Sequence, residues 1–142
     1  MIGMTIDRLK IGDDAEFSKT VSESDIYLYA GVTGDFNPAH IDAVYAAGTF
    51  FKKRIAHGML SAGFISAVIG TRLPGTGTIY VGQQLKFLAP VYVGDTITAR
   101  VTVAAINAEK NRVTLKTTCS NQEGTVVLDG EAVVSPPKAP KR

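Results

Sequence analysis

Cysteine occurs once in the chain, as Cys119, so no disulfide can close within it, and nothing in its cysteine usage points to an oxidising compartment. With no His or second Cys close to it in sequence, Cys119 reads as a small buried hydrophobe in a strand. Lys and Arg form no long block and do not interleave with aromatics, and the formal net charge is only +2. That balance argues against a nucleic-acid binder and leaves acidic small molecules as compatible partners. The N-terminal stretch, residues 1–14, lacks the continuous apolar core of a signal peptide and carries Asp7, Asp13 and Asp14. A cytoplasmic location is therefore expected. The most apolar run, residues 55–69, is too short and too rich in Gly, Ser and His for a bilayer span, so it reads as a buried helix and no membrane partner is expected. Internal repeats and domain boundaries are also lacking. One domain over 1–134 is expected, followed by a disordered tail over 135–142 with three prolines.

What is present has the balance of an ordinary globular protein, with 45% hydrophobic and 20% charged residues. Residues 15–21 read as a strand, and Ser22 or Ser24 can cap a following helix whose apolar side is Ile26, Leu28 or Tyr29, Ala30 and Val32. Gly34 is placed to stop that helix. Asn37-Pro38 predicts an extended turn, because the residue before proline is pushed out of the α region, and Asp42 can cap a short helix ending at Gly48. A long helix follows over 56–70, carrying the small residues Gly58, Ser61, Ala62, Gly63 and Ser66. The remainder alternates as strands over 78–89, 97–105, 112–120 and 125–134, separated by short turns, which predicts an antiparallel meander curled around the helix. The expected class is α+β, a single domain with a long central helix wrapped by a curved antiparallel sheet.

Two segments carry chemistry. Gly34-Asp35-Phe36-Asn37-Pro38-Ala39-His40 displays a carboxylate and an imidazole on an irregular stretch, and Ile55-Ala56-His57-Gly58-Met59-Leu60 opens the long helix. An Asp and a His so placed can hold one water, while a helix N-terminus can accept negative charge developing on a substrate oxygen. Taken alone, Asp35 and His40 are also compatible with turn chemistry. His57 reads as a helix-start residue that fixes the loop, and the spacing of His40 and His57 is not that of a compact metal site, so no metal is expected. Ser61 and Ser66 lie in no nucleophile motif. Lys52-Lys53-Arg54 is either a solvated basic patch or a contact for the phosphates of a carrier-bound substrate.

Those two segments, with Ile79-Tyr80-Val81-Gly82-Gln83 and Pro90-Val91-Tyr92-Val93-Gly94-Asp95, resemble in order the MaoC-like, R-specific enoyl-CoA hydratase family of hot dog proteins over residues 10–134. The resemblance implies that Asp35 and His40 are the catalytic dyad and that the Gly58 N–H serves the thioester oxygen. It also implies Asn37 as a substrate-binding residue and an acyl-pocket lining at Ser66, Ile69 and Val134. The implied activity is reversible hydration of trans-2-enoyl-CoA to (3R)-3-hydroxyacyl-CoA without a cofactor, CoA being part of the substrate. The same chemistry on acyl carrier protein, a hot dog thioesterase and a non-catalytic acyl-binding subunit are the alternatives. Because its own sheet covers the central helix on one side only, a homodimer is the expected assembly.

Overall fold

The computed structural model describes residues 1–141. The chain forms strand β1 (Asp14–Thr20), helices α1 (Glu23–Thr33), α2 (Pro38–Ile41), α3 (Ala43–Ala47) and α4 (Gly58–Thr71), then strands β2 (Ile79–Phe87), β3 (Thr96–Asn107), β4 (Arg112–Ser120) and β5 (Val126–Ser135). A short 3-10 turn at Ile6–Arg8 precedes them. Among the described residues, no helix is long and apolar enough to cross a membrane.

Local chemistry explains the helix ends. The Ser22 hydroxyl accepts the Asp25 amide and the Asp25 carboxylate accepts the Ser22 amide, closing a capping box around the first turn of α1. A hydrogen bond from Lys19, then one from the Ser22 amide, holds the Asp25 carboxyl below the ordinary carboxylate range. Gly34 ends α1 in the left-handed conformation at φ 81°, as its lack of a Cβ allows. Ile26 and Ala30 form the buried stripe of α1 with Tyr29 partly covered, whereas Leu28 and Val32 face outward, contrary to the broader apolar side expected for this helix. Asp42 caps α3 by accepting the amides of Val44 and Tyr45.

The turn expected at Asn37-Pro38 is instead the start of α2. Proline is tolerated at the first helical position, where its missing N–H has no intrahelical partner, and the Asn37 side chain caps the turn by accepting the Ala39 amide. His40 thus stands on a short helix rather than on extended chain.

The sheet is five-stranded in the order β1-β3-β4-β5-β2, and all its pairings are antiparallel. This corrects the simple meander, because β2 pairs with β5 at the far edge and not with β3. Residues 88–95 carry the chain between them. They are tied down by the Ala56 amide donating to the Val91 carbonyl and by a bridge between Ile55 and Tyr92. The inward residues of β3 and β4, among them Val101, Val103, Val113 and Leu115, alternate with outward polar ones, as a sheet with one buried face requires.

Across that inner face lies α4, with Phe64, Ile65, Val68 and Ile69 buried and Gly63, Ser66, Ala67 and Gly70 exposed. A curled antiparallel sheet laid along one long helix is the hot dog arrangement. Strand β5 continues to Ser135, and Pro136 and Pro137 are buried, Pro136 accepting a hydrogen bond from the Asn111 side chain at 2.9 Å. The packed chain therefore runs past Val134, and the expected disordered tail does not begin at residue 135.

Register is enforced sharply where β2 meets β5. A Cβ at Gly130 would lie 1.9 Å from the Gln84 carbonyl oxygen, a backbone atom that can move only with its strand. Gly130→Ala is expected to destabilise the fold by about 1–3 kcal/mol, the usual range for overpacking. Urea titration of the two proteins measures this; an unchanged midpoint would mean that the edge strand yields at no cost.

Candidate active site

The site lies where α1 ends, α2 begins and α4 starts. Asp35 follows the Gly34 cap, and its backbone is held on both sides. Its amide donates to the Thr33 hydroxyl, and its carboxylate Oδ1 accepts the Asn37 amide at 3.2 Å. His40 is 8% exposed and its Nδ1 lies 2.8 Å from the Ile55 carbonyl oxygen. A carbonyl only accepts, so Nδ1 is the protonated nitrogen of the neutral ring and Nε2 is its open acceptor.

His57 is 2% exposed and caps α4 without a side-chain cap bond. Its Nε2 lies 3.0 Å from the Asp35 carbonyl oxygen and therefore donates to it, while its buried Nδ1 has no partner among the described residues. The His57 ring packs on His40 with centroids 3.8 Å apart and on Tyr29 at 4.6 Å. It is thus a clamp on the Asp35 backbone and a wall for His40, which matches its reading as the residue that fixes the loop.

One ligating atom from each of Asp35, His40 and His57 lies within 4.8 Å of the others. Between Asp35 and His40 that separation suits one shared water. The same triangle is small enough for a metal ion, but the two imidazoles lie face to face at 3.8 Å with 30° between their planes. One nitrogen of each ring, His40 Nδ1 and His57 Nε2, is moreover engaged with a backbone carbonyl.

His40 and Gly58 open into a cavity of about 460 Å³ whose other walls include Phe51, Met59, Phe87, Val91 and Leu128. It is almost wholly apolar, the right lining for an acyl thioester with few polar groups to misdirect it. Gly58 is the first residue of α4, so its N–H lacks an intrahelical acceptor and lies at the positive end of the helix dipole.

The structure therefore brings Asp35, His40 and Gly58 to one place. It sets the other expected residues elsewhere. The Asn37 side-chain oxygen is engaged in capping α2. Ser66 faces out from α4, while Ile69 at 1% and Val134 at 0% exposure belong to the core, and none of the three lines this cavity. Sequence reasoning did not find Phe51, Phe87 and Leu128, which lie on segments far apart in sequence. The only trace of Phe87 there is its position at the end of an apolar strand.

A helix start that can receive an oxyanion, a carboxylate and an imidazole close enough to share one water, and an apolar cavity on a hot dog scaffold define a class of carbon–oxygen lyase site. The chain belongs to the MaoC-like family: the family model described as "MaoC like domain" matches residues 8–125. It is 61% identical over 129 residues to the (R)-specific enoyl-CoA hydratase of Rhodospirillum rubrum, covering 91% of this chain and 89% of that protein. To the 3-hydroxybutyryl-CoA dehydratase of Methylorubrum extorquens it is 48% identical, covering 92% of this chain and 82% of the relative. The solved structure of R-hydratase PhaJ1 from Pseudomonas aeruginosa in the unliganded form superposes with a TM-score of 0.91 at 47% identity, over 96% of this chain and 88% of that one.

Proposed function

We propose that this chain is an R-specific enoyl-CoA hydratase, a carbon–oxygen lyase that reversibly adds water across a trans-2-enoyl-CoA to give the (3R)-3-hydroxyacyl-CoA. The observation that carries the reading is that His40, which lines an apolar cavity together with Gly58, has the Asp35 carboxylate within 4.8 Å, close enough for the two to share one water. The high identity to hydratases over nearly the whole chain supports the substrate class and the R configuration.

In this reading the water lies between the Asp35 carboxylate and His40 Nε2. Asp35 orients it, and Nε2, the ring's open acceptor, takes one proton as the oxygen bonds to C3. The C2–C3 π electrons shift to the thioester oxygen, giving an enolate whose charge the Gly58 N–H and the α4 dipole stabilise. As the enolate collapses, the imidazolium returns its proton to C2 on the same face, so the net change is one water added and the dyad is restored. Both side chains act on bonds that ordinary acid–base chemistry can make and break, and no metal or redox group enters any step.

The assembly proposed is a homodimer. Strand β2 is a sheet edge carrying Ile79, Tyr80 and Val81 exposed, and the outward face of α4 is built of small residues, both of which a second copy would cover. Sedimentation equilibrium is expected to give twice the mass of 15.1 kDa.

The direct test is consumption of crotonyl-CoA, with the product assigned by enantiomer-specific 3-hydroxyacyl-CoA dehydrogenases. Formation of the 3R product is expected. Release of free CoA would replace the hydratase with a thioesterase, and a strong preference for crotonyl-acyl carrier protein would move the reading to a dehydratase of carrier-bound substrates.

A further inference from the structure

Among the described residues, the lining of the cavity carries two polar side chains, His40 and Ser61. His40 serves the proton transfers, and Ser61 takes no part in them. Ser61 is 3% exposed and lies on α4. A serine or threonine inside a helix commonly donates to the carbonyl four residues back, as Thr33 does to Tyr29 at 2.7 Å and Thr71 to Ala67 at 2.6 Å. The Ser61 hydroxyl makes no such bond to His57. Beyond the helix ladder, Ser61 is hydrogen-bonded among the described residues through its backbone carbonyl alone, which accepts the Cys119 thiol at 3.5 Å.

An unpartnered hydroxyl so far inside the protein costs free energy. It is not sealed in, however. The one side-chain polar atom that is both enclosed and unpartnered among the described residues is His57 Nδ1, so Ser61 Oγ is open to the cavity that the residue lines. Its place there is fixed, because the bond from the Cys119 thiol ties the Ser61 backbone to β4. Burial pushes that thiol up to about 12, so it stays protonated and brings no negative charge to the site. Ser61 stands three residues after Gly58, on the same face of α4 and about 4.5 Å further along its axis. Helical side chains lean toward the N-terminus, which carries the hydroxyl back toward the Gly58 amide.

We propose that the Ser61 hydroxyl is a second hydrogen-bond donor to the thioester oxygen, acting beside the Gly58 N–H. Both residues line the cavity, so one substrate oxygen held at the start of α4 can accept from both. Standing one turn from Gly58 assigns the hydroxyl to that oxygen rather than to the far end of the acyl chain. As the π electrons shift onto the oxygen, the proton stays on Ser61 and the hydrogen bond shortens, so no bond within Ser61 breaks. The assignment rests on the hydratase reading of the site.

Ser61→Ala is expected to lower kcat for crotonyl-CoA about 10²-fold, the lower end of what one oxyanion donor supplies, with KM little changed. Its urea midpoint should equal or exceed that of the wild type, since alanine favours the helix and removes a hydroxyl that had no partner. A hydroxyl kept only for structure would give the opposite pattern, a lower midpoint with normal turnover. Ser61→Cys restores the size of the side chain with a much weaker donor and should stay nearly as slow as Ser61→Ala. Recovery of the wild-type rate by the cysteine variant would assign the loss to packing and overturn the proposal. A second readout needs no turnover. Crotonyl-CoA labelled with ¹³C at the thioester carbon is bound to the Asp35→Asn protein, and its C=O stretch is recorded by isotope-edited infrared spectroscopy. Adding Ser61→Ala should move that band to higher frequency as one hydrogen bond is lost. An unmoved band, or a Ser61→Ala protein with wild-type kcat, overturns the donor. A wild type that hydrates no crotonyl-CoA would remove the hydratase reading itself, an outcome distinct from hydration that Ser61→Ala leaves unchanged.

Discussion

Asp35→Asn and His40→Ala are each expected to lower kcat for crotonyl-CoA by roughly a thousandfold or more, toward the upper end of what a positioned acid–base group supplies. The Asp35 change is nearly isosteric. Its amide can still accept the Asn37 N–H through the oxygen, and the His57 clamp acts on the backbone carbonyl, so the loop should keep its shape while losing the charge that orients water. His40→Ala removes the open Nε2 but also the bond to Ile55 and the ring packed on His57. A fall in its rate could therefore come from a disturbed loop. His40→Asn separates the two causes, since an amide N–H can replace Nδ1 toward the Ile55 carbonyl but leaves no base. Both His40 variants should be equally inactive, while the Asn variant melts closer to the wild type. Near-normal turnover by any one of the three, with urea midpoints showing a folded protein, would remove the proton-transfer scheme.

The parts of this molecule that the sequence discloses are those set by neighbours along the chain. Ser22, Asp42 and Gly34 act within a few residues of where they stand, so a cap or a stop could be recognised from residue type and spacing. The same holds for β4, whose 2-residue alternation between Arg112 and Ser120 is uninterrupted. Pro38 misled because proline obeys two rules at once: it bars the helix from residues before it, yet starts one well, and only the Asn37 cap tips the balance toward a helix.

The place of β2 was hidden for a different reason. Its alternation says that it belongs to a sheet, but pairing with β5 instead of β3 is decided by the crossing of residues 88–95 and by Gly130 admitting the Gln84 carbonyl, contacts distant in sequence. The site divides in the same way. Asp35, His40 and Gly58 were legible as chemistry, whereas the His57 clamp joins a side chain to a backbone carbonyl, for which no residue type is a signal. The cavity walls come from four separate stretches of chain, and Ser66, Ile69 and Val134, chosen by resemblance, do not reach this cavity because packing directs Ile69 and Val134 into the core.

Replacing the Gly58 amide is expected to cost about 10²–10³-fold in kcat, the effect of losing one donor to a developing oxyanion. The test needs care, because any Cβ at Gly58 would lie 2.6 Å from the Phe87 ring, and a variant could lose activity through a displaced wall rather than a missing N–H. Phe87 is half exposed and can be trimmed, so the comparison is made in a Phe87→Ala background. There, Gly58→Ala keeps the amide and Gly58→Pro removes it, while both add a Cβ. Proline suits the helix at this position. Gly58 is the first residue of α4, and His57 before it has φ −60° and ψ 132°, the extended region that a following proline prefers. The Gly58→Pro/Phe87→Ala protein should therefore fold like its alanine counterpart and bind crotonyl-CoA with a similar KM, since ground-state carbonyl oxygen demands little of the donor. Its kcat should be lower by the factor above, because the interaction strengthens as charge moves onto oxygen. Equal kcat for the two double variants would mean that the Gly58 amide plays no part and that the helix dipole or another donor carries the enolate charge.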